Sequence, residues 1–98
     1  MLRHVFIINV KEGTPDDVVE QKMAEMRAMK EKETVIENIM VGRTCGLIGR
    51  SDAVMMVVDL KDKVAFDILM QSHTHIDIAK KAEEAFDVQS ADVAQIEY

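Results

Sequence analysis

The chain has 98 residues, with 12 Lys and Arg against 18 Asp and Glu, giving a net charge of −6, and 48% of its residues are apolar. That length fits one domain, residues 1–98, with one core, while the composition excludes a disordered chain and no apolar run reaches the roughly 18–20 residues that span a bilayer. The acidic balance, the scattered basic residues and the few aromatics (Phe6, Phe66, Phe86, Tyr98) leave neither a counterion-displacing patch nor a stacking platform for nucleic acid.

Met1-Leu2-Arg3-His4 runs into a strand-like stretch with no small-residue cleavage site, which argues against a signal peptide and makes the cytoplasm the expected location. Leu2 to Val10 is rich in β-branched and aromatic residues and ends at Lys11-Glu12-Gly13, a strand followed by a turn. Leu2, Phe6, Ile8 and Val10 share one face and Val5 and Ile7 the other, so this strand expects cover on both sides. Thr14-Pro15-Asp16-Asp17 predicts a helix start: Thr14 caps, Pro15 takes the first helical position, and the aspartates complement the dipole. Val19, Met23, Met26 and Met29 form one apolar stripe, predicted to lie on a sheet, and the helix ends in Lys30-Glu31-Lys32. An adaptable binding surface is the rival reading of these methionines.

A second strand is predicted from Ile36 to Leu47, followed by a turn bracketed by Gly46 and Gly49, and a third from Ala53 to Leu60, apolar on both faces. Asp62 is placed to cap a short helix from Lys63 to Gln71, apolar enough to expect neighbours on both sides. Ser72-His73-Thr74-His75 interrupts the pattern. A further helix is expected to run to about Phe86, with Ile76, Ala79, Ala82 and Phe86 inward, and Val88 to Tyr98 reads as a closing strand. The order is β-α-β-β-α(α)-β, an α+β ferredoxin-like arrangement with a four-stranded antiparallel sheet and helices on one face. Such a monomer leaves the other face of an apolar sheet bare, which predicts a twofold homodimer with sheets face to face.

His4-Val5-Phe6, Lys11-Glu12-Gly13-Thr14, Val41-Gly42-Arg43, Ser51-Asp52 and Ser72-His73-Thr74-His75 occur in an order that resembles the stress-responsive A/B barrel family, Dabb, over about residues 2–97. The resemblance implies a dimeric ferredoxin-like α/β barrel. Ala53-Val54 stands where members often show Tyr or Phe followed by Asp, and Ser72-His73-Thr74-His75 where they commonly carry His-Pro-x-His. One relative, a plant polyketide cyclase, closes a ring by an aldol step with a histidine acid/base. The resemblance places that histidine on His75 and a second pocket histidine on His4, and it puts a Tyr and a further His of that enzyme on Leu69 and Val54.

His75 and His4 are therefore the candidate catalytic residues, because an imidazole exchanges protons near neutral pH. Helix orientation by His75 and a satisfied core role for His4 are the alternatives. Arg43, Phe6, Leu69 and Met55 are the candidate ligand contacts; a rim ion pair is the rival role for Arg43. His73-Thr74-His75-Ile76-Asp77 reads as H-x-H-x-D, and in an extended segment its histidines would point the same way, but a catalytic zinc wants more ligands than remain, so no metal and no cofactor are assigned. Cys45, the one cysteine, reads as a small apolar filler rather than a nucleophile. Two functions follow for a homodimer: a small-molecule binder or enzyme acting on carbonyl compounds between sheet and helices, or a non-catalytic dimerisation or stress-associated protein with a closed pocket. Neither involves nucleic acid or membrane.

Overall fold

The β-branched and aromatic run Leu2–Val10 is realised as a central strand, β1, in a computed structural model that describes residues 1–98. Its neighbours are β3 (Ala53–Leu60), in continuous antiparallel register from Leu2↔Leu60 to Asn9↔Ala53, and β4 (Phe86–Glu97), also antiparallel. β2 (Ile36–Arg43) completes the sheet as the antiparallel neighbour of β3, in the order β2-β3-β1-β4. Helix α1 (Asp16–Lys32) connects β1 to β2, while α2 (Lys63–Gln71) and α3 (His73–Lys81) connect β3 to β4. The fold is ferredoxin-like, with the helices on one face of the sheet.

Strand parity decides what each face holds, because successive side chains point to opposite sides. Leu2, His4, Phe6 and Ile8 lie opposite Leu60, Val58, Met56 and Val54 and form the helix side. Val19, Met23, Met26 and Met29 of α1, Leu69 of α2, and Phe86 join them in the core. Each side chain as fully enclosed as Ile8 or Phe86 contributes roughly 1.5–3 kcal/mol. Arg27 donates to the Val41 carbonyl at 3.0 Å and the buried Lys22 pairs with Glu84, so two cations of α1 tie it to β2 and to the end of the α3 segment.

Four details differ from the sequence expectation. Pro15, not Thr14, sits at the cap of α1 with no side-chain cap, and the Thr14 hydroxyl donates instead to the Ala85 carbonyl at 3.3 Å. β2 stops at Arg43, not Leu47, because Thr44 and Ala53 close the hairpin: the Thr44 N–H donates to the Ala53 carbonyl and the Ala53 N–H to Thr44 Oγ1. The loop beyond bends through Gly46 and Gly49, with φ of 71° and 85°. Helix α2 is capped by Asp62 as expected, through the Ala65 N–H at 3.0 Å, but it is covered on one side alone; Ala65 and Leu69 are buried while Val64 and Ile68 face out. Finally, α3 begins at His73 and ends at Lys81, a 3-10 turn spans Ala82–Glu84, and Phe86 opens β4 instead of closing a helix. There Phe86 pairs with Val10 and buries its ring beneath the sheet; of the other expected inward residues of that helix, Ala82 packs against the core, whereas Ile76 is exposed.

β4 carries a bulge. Ile7 pairs with Asp92 and Asn9 with Asp87, so one residue on β1 faces four on β4. Ser90 staples it, accepting from the Asn9 N–H at 2.8 Å and donating to the Asp87 carbonyl at 2.6 Å. Arg50 clamps the same spot through the Ser90 carbonyl (2.9 Å) and Asp92 (2.6 Å). Ser90→Ala leaves the Asn9 N–H without its partner, and urea denaturation is expected to show a loss of about 1–2 kcal/mol.

Candidate functional site

The helix-side row of β1 does not close completely against the helices. A cavity of about 150 Å³ remains, and eleven of its thirteen lining residues are hydrophobic; the other two are His4 and His75. Phe6 and Ile8 form its floor with Met56 of β3, Met26 and Met29 come from α1, and Ile78 and Ala79 come from α3. Phe86, Val88 and Ala91 of β4 complete the wall, the last two from either side of the bulge.

His4 is 5% exposed, in an otherwise apolar row. Its Nδ1 lies 2.9 Å from Gln95 Nε2, and its ring meets Phe66 edge-on at 5.3 Å between centroids. An amide nitrogen can only donate, so Nδ1 accepts and the neutral His4 carries its proton on Nε2. Burial pushes the imidazole below the ordinary histidine value, and a charge on His75 acts in the same direction.

His75 reaches the cavity through a helix junction built on one serine. Ser72 closes α2, its hydroxyl donating to the Leu69 carbonyl at 2.7 Å, and the same oxygen caps α3 by accepting from the His75 N–H at 3.2 Å. Capping thus falls to Ser72, and the imidazole of His75 is left to point inward. Its Nδ1 is buried with no hydrogen-bond partner. An orphaned polar atom of this kind costs about 1–3 kcal/mol, which marks the position as unusual for a purely structural residue.

Because His73 and His75 lie in a helix and not in an extended segment, their side chains diverge. His73 is exposed, beside Thr74, Asp77 and Lys81, and no three His, Cys, Asp or Glu side chains converge as a metal would require. Of the remaining candidates, Phe6 lines the cavity. Arg43 does not; its guanidinium is engaged at 2.9 Å by both Asp52 and Asp16 at the end of β2. Leu69 is fully enclosed in the core, as is Val54, and Met55 lies on the opposite face of the sheet. Cys45 is exposed in the loop after β2.

Gln95 is the residue that sequence reading missed. Counting alternate positions back from it to Phe86 puts the two on opposite faces, and only the bulge restores Gln95 to the helix side, opposite His4. Met26 and Met29 were visible as a stripe, but as core rather than as a cavity wall.

A neutral buried histidine makes stability fall with acid. Its folded-state value lies below the unfolded one, so the unfolded chain binds the proton first and stability, complete above pH ~6.5, declines as the pH drops below it. One proton limits the slope to about 1.4 kcal/mol per pH unit. Urea melts of wild type and His4→Leu between pH 7.5 and 5 are expected to differ in slope, with the variant flatter over that window.

No protein-family model matches the chain, and no curated protein matches it. Solved structures match in fold over nearly its whole length. A protein from Arabidopsis thaliana superposes with a TM-score of 0.85 at 12% identity, covering 100% of this chain and 95% of that one. A hydroxynitrile lyase from Passiflora edulis gives 0.84 at 13%, covering 97% and 90%. A dimeric ferredoxin-like protein of unknown function from Thermobifida fusca gives 0.83 at 18%, covering 99% and 90%.

Proposed function

We propose that this chain is a homodimeric protein of the Dabb type that binds a small carbonyl compound in the cavity between sheet and helices and moves a proton on it with His75 and His4. The observation that carries the reading is the buried, unpartnered Nδ1 of His75 in an apolar cavity that His4 also lines. A cavity near 150 Å³ with such walls matches the size that holds one benzene-sized ring. The hydroxynitrile lyase among the structures of this fold is a small-molecule enzyme, which fits the same use of the scaffold.

The chemistry follows from the two imidazoles. The lone pair on His75 Nδ1 takes a proton from the carbon next to the carbonyl, breaking C–H and forming N–H. The released pair becomes the C=C bond of an enolate, whose negative oxygen is held by the Nε2–H of His4 beside the protonated His75. Return of a proton from His75 to carbon or oxygen completes the cycle, and no oxidant or cofactor enters it. Cyclohexanone in D2O tests this: its α-hydrogens are expected to exchange at least about 10²-fold faster with wild type than with His75→Gln, read by mass spectrometry. Equal rates overturn the proton-transfer reading.

The dimer rests on the uncovered face of the sheet. Val5 lies between Val57 and Ala94 across three strands, and Ile7 opposite Met55, with Met40 beside Val57 on β2. These residues form one apolar patch, rimmed by the Arg3–Asp59 pair, whose two hydrogen bonds measure 2.7 and 3.0 Å. Native mass spectrometry is expected to give a dimer for wild type and a monomer for Val57→Glu, whose carboxylate falls at the centre of the patch.

A further inference from the structure

We infer that Gln95 is a positioning residue that fixes the hydrogen-bonding polarity of the cavity, so that the site selects neutral hydroxyl or keto compounds over carboxylates of the same shape. The inference rests on the reading of the cavity as a ligand site and adds to it the charge state of what enters.

The Gln95 side-chain amide donates to His4 Nδ1, which commits the proton of a neutral His4 to Nε2. His4 then offers the cavity a donor without a formal charge, and no hydrogen bond within the protein occupies that Nε2. His75 offers an unpartnered Nδ1, an acceptor when its own proton is on Nε2. One donor and one acceptor suit a neutral oxygen that can both accept and donate: a phenol, an alcohol or an enol. They do not suit a carboxylate, which needs donors on both oxygens or a cation, and the lining contains no Lys or Arg. Desolvating such an anion without a partner costs more than the apolar walls return. The low proton affinity of His4 keeps its own imidazole neutral at neutral pH.

Gln95 acts from outside the cavity. It is exposed on the edge strand β4 and lines a surface groove with Lys63, Phe66 and Glu97, so it can be changed without opening the core. In Gln95→Glu the carboxylate can only accept, which calls for a proton on His4 Nδ1 and strips the donor role from Nε2 of the neutral ring; Gln95→Met removes the hydrogen bond while keeping the length of the side chain.

The test is an NMR titration of wild type, Gln95→Glu and Gln95→Met with phenol, toluene and benzoate, following 15N resonances of the imidazoles. In wild type, phenol is expected to bind at least about 10-fold tighter than toluene and than benzoate, with His4 showing the Nε2–H tautomer. Gln95→Glu is expected to move the His4 proton to Nδ1 and to erase most of the phenol preference; Gln95→Met gives a tautomer mixture and an intermediate preference. Benzoate binding as tightly as phenol, or an unchanged His4 tautomer in Gln95→Glu, overturns the inference and leaves the cavity reading standing. Failure of all three probes to bind overturns both.

Discussion

An imidazole that leaves water must be repaid by its neighbours, and the placement of His4 in the most enclosed row of the sheet makes this the constraint around which the site is organised. The row itself is dictated by β1: alternation puts His4 between Leu2 and Phe6, beneath the helices. Three separate elements then answer it. β4 brings the amide of Gln95, α2 brings the edge of Phe66, and α3 brings His75 close enough for its charge to matter. None of these partners is near His4 in sequence, so the geometry around the imidazole depends on the whole topology rather than on a local motif.

What was legible in the sequence is what local physics decides. The bounds of β1 and β3 follow from runs of β-branched residues, the start of α2 from the Asp62 cap, and the buried face of α1 from its methionine stripe. His4, Phe6 and His75, picked as site residues, line one cavity. Where long-range partners compete with local preference, the reading drifted. Thr14 has the chemistry of a cap but spends its hydroxyl on Ala85, 71 residues away. Arg43 has the fork of an anion clamp, yet two aspartates from other segments occupy it. An extended segment would point His73 and His75 the same way, but Ser72 makes this stretch a helix start and their side chains diverge.

The sheet divides its labour between its faces. Toward the helices it supplies the core and the cavity; away from them it presents Val5, Ile7, Met55 and Val57. The two faces are separable because a strand commits alternate residues to each, so a substitution at Val57 falls on the bare face while one at Phe6 or Met56 falls on the pocket. Methionine on two sides of the cavity, Met26 and Met29 from α1 and Met56 from the floor, gives walls that can shift rotamers to follow the outline of a guest.

The bulge at Ser90 has a consequence for how this pocket can vary. Upstream of it, even-numbered residues of β4 (Phe86, Val88) look toward the helices; downstream, odd-numbered ones do (Ala91, Val93, Gln95). Adding or deleting one residue within the bulge would therefore exchange the downstream sides wholesale, turning Gln95 outward and Ala94 and Ile96 inward, without altering a single residue of the cavity floor. A length change of one, in an exposed stretch of an edge strand, is thus a chemical switch: it would leave the cavity floor in place while taking Ala91 from the wall and Gln95 from His4.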